Sequence, residues 1–147
     1  MKDKLFIDTD IILDIALTRD PHFYSSAFIS SLIESKSVIG YTSSVIVSNL
    51  YYLIRKVDSH KSAIDFISKM RLFIFILPVD DKIISLALES HFKDFEDAIQ
   101  YYCAYNNNID YLITRNVKDY SKAQMKVHTP VEYLKLKNIT GSLDTGG

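Results

Sequence analysis

The chain has one cysteine in 147 residues, Cys103. No intramolecular disulfide can form, and no cysteine-based zinc site can assemble. No apolar run approaches the ~20 residues that a bilayer-spanning helix needs. Neither charge is in excess: 17 Lys and Arg face 18 Asp and Glu, a formal net charge of −1. A surface for strong, non-specific duplex binding normally carries surplus Lys and Arg, so that class is disfavoured. A local basic rim around an acidic pocket is still compatible with a neutral chain. His22, His60, His91 and His128 are scattered without a shared metal spacing. The start, Met1-Lys2-Asp3-Lys4, leads into a short apolar stretch that Asp8 interrupts, which does not read as a signal peptide. A cytoplasmic protein without a membrane segment is expected.

The length suits one domain. Short apolar runs alternate with amphipathic stretches throughout, without repeats or long linkers. Lys4–Ile7 reads as a strand buried on both faces, closed by Asp8. A helix is expected from Asp10, placed to cap it, to Leu17, and another over Ser25–Ser35. Val38–Tyr41 reads as a second strand. Helices to about Val57 and Met70 follow, capped by hydroxyls at Thr42-Ser43-Ser44 and at Ser59. Leu72–Leu77 is the clearest strand. Asp80 and Asp94 open further helices, and Asn106-Asn107-Asn108 stops the second. Asp110–Ile113 and Lys126–His128 are the last strand candidates, and Pro130 opens a final helix. The pattern predicts a three-layer α/β/α fold with a short parallel sheet over residues 1–137, and a disordered tail over 138–147.

In an open parallel sheet, ligands bind beyond the carboxyl ends of the strands, where the strand order reverses. Asp8, Thr9 and Asp10 follow the first strand. Thr114, Arg115, Asn116 and Asp119 follow the fourth. If those strands are neighbours, the two groups meet, and a helix opening at Asp94 brings Asp97 to the same place. Asp8, Asp97 and Asp119 then make an oxygen-rich pocket. A hard divalent cation relieves the repulsion among such carboxylates, and Mg²⁺ prefers oxygen ligands while keeping several waters. That chemistry suits phosphodiester cleavage.

Each residue also has a plainer role. Asp94 and Asp97 are spaced as a capping box. Asp10 is read as a helix cap rather than a ligand, and Asp119 as a possible turn residue. Asp8 is harder to explain away, because an unpaired carboxylate ending an apolar strand costs several kcal/mol.

These segments resemble the PIN-domain family, which includes the toxin nucleases of toxin–antitoxin pairs. Phe6 to Asp14 is similar to its first motif, Asp94-Phe95-Glu96-Asp97-Ala98 to its third, and Asp110 to Tyr120 to its fourth. The resemblance spans roughly Leu5 to Leu136. It implies a Mg²⁺- or Mn²⁺-dependent endoribonuclease with RNA as substrate, a small antitoxin as partner and a homodimeric state. It places metal ligands at Asp8 and Asp97 and the last acidic position at Asn116 or Asp119. Asn49 stands where the family usually has a glutamate, so a charge is missing, and Asp119 and Glu96 are candidates to compensate. Thr9 and Thr114 would orient ligands, and Asn49 would hold a water. Arg115 and Lys118 would contact RNA phosphates.

The alternative within the same family is a catalytically weakened module that binds RNA or a protein without cutting. A phosphotransfer receiver or a haloacid-dehalogenase-like phosphatase also puts an aspartate after its first strand, but leaves Asp94–Asp97 and Thr114–Asp119 unexplained. Tyr51, Tyr52, Tyr101, Tyr102 and Tyr105 can stack on unpaired bases, though a core edge or subunit interface is the favoured reading for them. Cys103 reads as a small buried hydrophobe.

Overall fold

The computed structural model describes residues 1–121 and 123–139. Five parallel strands, β1 (Lys4–Ile7), β2 (Ile39–Ser43), β3 (Ile74–Leu77), β4 (Tyr111–Ile113) and β5 (Lys126–His128), form one sheet in the order β3-β2-β1-β4-β5. Helices α1 (Thr9–Ala16), α2 (Phe23–Glu34), α3 (Ser44–Val57), α4 (His60–Met70), α5 (Asp81–Leu88), α6 (Phe95–Asn106) and α7 (Pro130–Leu136) cover its faces. The expected α/β architecture is therefore present. Leu5, Phe6 and Ile7 are all buried, because both faces of the sheet are covered.

The chain runs outward from β1 to β2 and β3, then returns to lay β4 against the other side of β1. The strand order thus reverses between β1 and β4. Ile7 pairs with Ile113, so the next residues, Asp8 and Thr114, emerge side by side. The Asp8 amide continues the ladder onto the Ile113 carbonyl at 3.0 Å, and the Thr114 amide onto that of His128 at 3.0 Å.

Helix starts follow side-chain chemistry. Ser43, Ser59, Asp80, Asp94 and Thr129 each accept an amide of the first turn, and Thr129 with Glu132 completes a capping box. The first helix departs from expectation. Asp8 is its cap, not Asp10: Asp8 is extended (φ −74°, ψ 162°) and its Oδ1 accepts the Thr9 amide. Asp10 falls inside the first turn, where a carboxylate favours the helix dipole. α2 starts two residues earlier than expected, with no capping side chain at His22 to mark it. β3 begins at Ile74 because Leu72 and Phe73 close the turn after α4. A short 3-10 helix over Val117–Tyr120 is an element that the sequence reading lacks.

α2 lies tight on β2 at Gly40, where a Cβ would meet Ile33 Cδ1 at 2.7 Å. Asn138 and Ile139 belong to the fold rather than the expected tail: both amides bond back to α7, and Ile139 packs on the core. Residues 140–147 of that tail lie outside the described residues. No helix among the described residues is long and apolar enough to cross a membrane.

Candidate functional site

A cavity of roughly 480 Å³ opens beyond β1 and β4, lined by Asp8, Thr9, Asp10, Asn49, Tyr52, Leu53, Asp94, Glu96, Asp97, Asn116 and Asp119. It sits at the switch point where an open parallel sheet binds ligands. Four parts of the chain converge there: the β1–α1 junction, α3, the start of α6, and the turn after β4.

Asp8 is the buried centre of the site. Thr114 Oγ1 donates to its Oδ2 at 2.8 Å, and Tyr120 Oη donates to the same oxygen at 3.1 Å. Burial pushes the Asp8 carboxyl above its ordinary range, and the donors from Thr114, Thr9 and Tyr120 pull against that rise. Tyr120 remains protonated, since burial and then the neighbouring Asp8 push its phenol far up.

Asp97 reaches the cavity from the first turn of α6. Asp94 Oδ1 accepts the Asp97 amide at 3.0 Å, so one half of the expected capping box forms. The Asp97 carboxyl is pushed up to about 7, first by burial, then by Asp94, Asp8, Asp119 and Glu96. Burial opposes the charged form, and repulsion from the neighbouring carboxylates adds to it. The helices carrying Asn49 and Asp97 are tied together by Ser43 Oγ, which donates to the buried Gln100 Oε1 at 2.6 Å. Asn49 Nδ2 donates weakly to Glu96 Oε2 across the same gap, at 3.5 Å.

The structure thus brings Asp8, Thr9, Asn49, Asp94, Asp97, Asn116 and Asp119 to one cavity, with Thr114 directly behind Asp8. Lys118 lies in an adjoining cleft of roughly 220 Å³ shared with Asp94, Asp97 and Asp119. Arg115, expected to face a substrate, is turned inward instead. Its Nη2 is 3.8 Å from Asp10 Oδ1, and its Nε is 3.3 Å from Asp14 Oδ2 but off line for a hydrogen bond.

Asp14, Tyr120 and the facing role of Asp10 escape a sequence reading. Asp14 is wholly buried, accepts Arg19 Nε at 3.1 Å and Ser26 Oγ at 3.2 Å, and backs Asp10 through the two arginines. Asp10 in turn accepts Asn116 Nδ2 at 2.9 Å, fixing the amide. A buried acid six residues after Asp8 on α1, with arginines at 19 and 115, is a signal only once β4 is known to lie beside β1.

No three Asp, Glu, His or Cys side chains among the described residues come close enough to cage a metal unaided. Mg²⁺ does not need such a cage, because one or two carboxylates and several waters suffice. Among the described residues no Lys or Arg lines the cavity. The crowded carboxyl oxygens therefore fit a hard divalent cation.

An open parallel sheet with carboxylates at its switch point defines an α/β domain with an acidic pocket. The family model "PIN domain" matches residues 4–118, and the chain belongs to that family. It is 30% identical over 142 residues to "Ribonuclease VapC1" of Aquifex aeolicus, covering 92% of this chain and 96% of the relative. Solved structures share the fold. VapC20 of Mycobacterium tuberculosis, described as a sarcin–ricin loop cleaving toxin, superposes with a TM-score of 0.61 at 18% identity over 74% of this chain and 86% of its own. A toxin–antitoxin complex from Klebsiella pneumoniae gives 0.63 at 22% identity, over 86% of this chain and 97% of that one. VapBC2 of Rickettsia felis, solved on a promoter DNA fragment, gives 0.64 at 14%, over 86% and 98%.

Proposed function

We propose that this chain is a Mg²⁺- or Mn²⁺-dependent endoribonuclease that cleaves RNA phosphodiester bonds and acts as the toxin of a toxin–antitoxin pair in the cytoplasm. The observation that carries it is the crowding of Asp97 by Asp94, Asp8, Asp119 and Glu96 in one cavity at the switch point. The relationship to a ribonuclease over nearly the whole chain supports it.

Asp8 and Asp97 would hold the cation directly. Asp119 and the Asn116 side-chain oxygen would complete the shell, directly or through water, with Asn49 holding a water at the opposite wall. When bound, the cation supplies charge for the phosphodiester oxygens and makes a water more acidic. Thr114 and Tyr120 aim Asp8 and offset part of the cost of its burial by donating to one of its oxygens. Thr9 supports the same carboxylate with its amide. Asp94 fixes the first turn of α6, and so the approach of Asp97. Lys118, at the outer cleft, would meet a phosphate of the strand, while Arg115 would act on the site through Asp10 and Asp14. A small antitoxin and a homodimeric state are part of the proposal. Likeness to a structure described as a toxin–antitoxin complex supports the antitoxin.

The second reading is a module that binds RNA or a protein without cleavage. Asn49 favours it, as an amide facing Glu96 across the gap where the family usually has an acid. Incubation of total RNA with the purified chain separates the two. Mg²⁺- or Mn²⁺-dependent cleavage lost in an Asp8→Asn, Asp97→Asn double variant is the expected result. No cleavage above that variant in either metal would replace the enzyme with the binding module.

A further inference from the structure

We infer that Tyr52 is a stacking platform for an unpaired nucleobase next to the scissile phosphate; this rests on the ribonuclease reading. The electrostatics of the cavity raise the question. Among the described residues its lining has five aspartates and a glutamate but no Lys or Arg. Inside the cavity a polyanionic strand gains nothing from its phosphates except through a cation, so beyond the Lys118 contact in the adjoining cleft further affinity comes from the bases.

Tyr52 is the aromatic residue in that lining, and the residue is 63% exposed. Leu53, 40% exposed, continues the apolar wall beside it. An exposed aromatic ring on α3 costs free energy in water unless something covers it. The ring is also braced. Tyr51 meets it edge to face, with centroids 5.5 Å apart at 73°. Tyr51 is itself held by His60, its Oη 2.8 Å from Nδ1. A platform held by its neighbours loses little freedom when a base settles on it. Bases within a duplex already stack on each other, so only an unpaired base can reach it. Tyr51, Tyr101, Tyr102 and Tyr105 keep the plainer reading: Tyr51 as this brace, and the others as mutual packing on α6, where Tyr101 and Tyr105 stack at 5.5 Å.

The test uses the full chain carrying Asp97→Asn, so that RNA survives, and fluorescence anisotropy with three labelled probes: a single-stranded RNA, its duplex, and an abasic ribose–phosphate strand of equal length. Added Tyr52→Ala should weaken single-strand binding about ten- to hundredfold, whereas Tyr52→Phe and Tyr52→Trp should preserve it. Duplex and abasic strand should bind equally to the variants with and without Tyr52→Ala. Unchanged single-strand affinity, an equal loss on the abasic strand, or no RNA binding at all would overturn the platform. So would Tyr52→Ala changing the mass in light scattering while sparing RNA affinity, which makes the patch a subunit contact. Cleavage by the otherwise native protein is measured in parallel. Absent cleavage with Tyr52-dependent binding removes the nuclease reading and leaves the platform standing.

Discussion

Thr114 Oγ1 donates to Asp8 Oδ2 at 2.8 Å, joining residues 106 positions apart. The bond follows from the parallel register that pairs Ile7 with Ile113. With the Tyr120 hydroxyl on the same oxygen, it offsets the burial that pushes the Asp8 carboxyl up. Thr114→Val and Tyr120→Phe each remove one donor without touching the cavity wall. Each is expected to weaken Mn²⁺ binding by about tenfold, the lower range for a residue that supports a ligand. Isothermal calorimetry reads this directly, and an affinity equal to wild type in both variants would mean that Asp8 is not a ligand.

Asp97 links the site to pH. Its carboxyl is held up at about 7 against an ordinary value of 3.8, by burial and then by Asp94, Asp8, Asp119 and Glu96. Between those values the folded chain keeps a proton that the unfolded chain has released. Stability from this group therefore falls as pH rises from about 4 to about 7 in metal-free protein. Thermal melts should show the metal-free protein losing stability over that window, with a shallower loss in Asp97→Asn. Mn²⁺ should restore the melting temperature most above pH 7, where no proton competes for the carboxylate. Parallel pH profiles for wild type and Asp97→Asn would count against the crowding.

Asp14 is a stability residue with a functional edge. It is wholly buried between Arg19, Arg115 and Ser26. Asp14→Ala leaves the two guanidinium groups without their buried partner and should cost about 3 kcal/mol in urea unfolding, the lower end for a broken buried pair, since both arginines are partly exposed. Asp14→Asn, which keeps the shape, should cost less. A loss below about 0.5 kcal/mol for Asp14→Ala, the range of ordinary surface changes, would show that the arginines find other partners.

Asn49 faces Glu96 at 3.5 Å across the cavity, so a carboxylate there would add charge where the carboxyls already crowd. Asn49→Glu should tighten Mn²⁺ and Mg²⁺ binding and lower the metal-free melting temperature at neutral pH. Unchanged calorimetric affinity would show that Asn49 lies outside the coordination sphere.

Much of this was legible from residue order. The alternation of apolar runs with capped helices gave the layers, and Ser59, Asp80 and Asp94 cap where their side chains suggest. Asp8, Asp97, Asn116 and Asp119 were identifiable because each lies just after a strand or in the first turn of a helix, and the likeness to PIN motifs ordered them, whereas Asn49, in the middle of α3, was marked by that likeness alone. Asp10 was not, because two acids flank one helix start and only backbone geometry decides which one caps. The inward turn of Arg115 was hidden for a different reason. Its partner Asp14 sits 101 positions earlier, and the pairing exists only after β4 docks beside β1. Tyr120 was also illegible, since a 3-10 turn sets its hydroxyl toward Asp8 and no periodicity announces such a turn.

The central claim is that one divalent ion sits among Asp8, Asp97 and the Asn116–Asp119 turn. Crystals soaked in Mn²⁺ and measured for anomalous scattering test it most directly. A single strong peak within coordinating distance of a carboxylate oxygen of both Asp8 and Asp97 is the predicted result. An empty pocket at saturating Mn²⁺, or a peak bound only elsewhere on the surface, would contradict it.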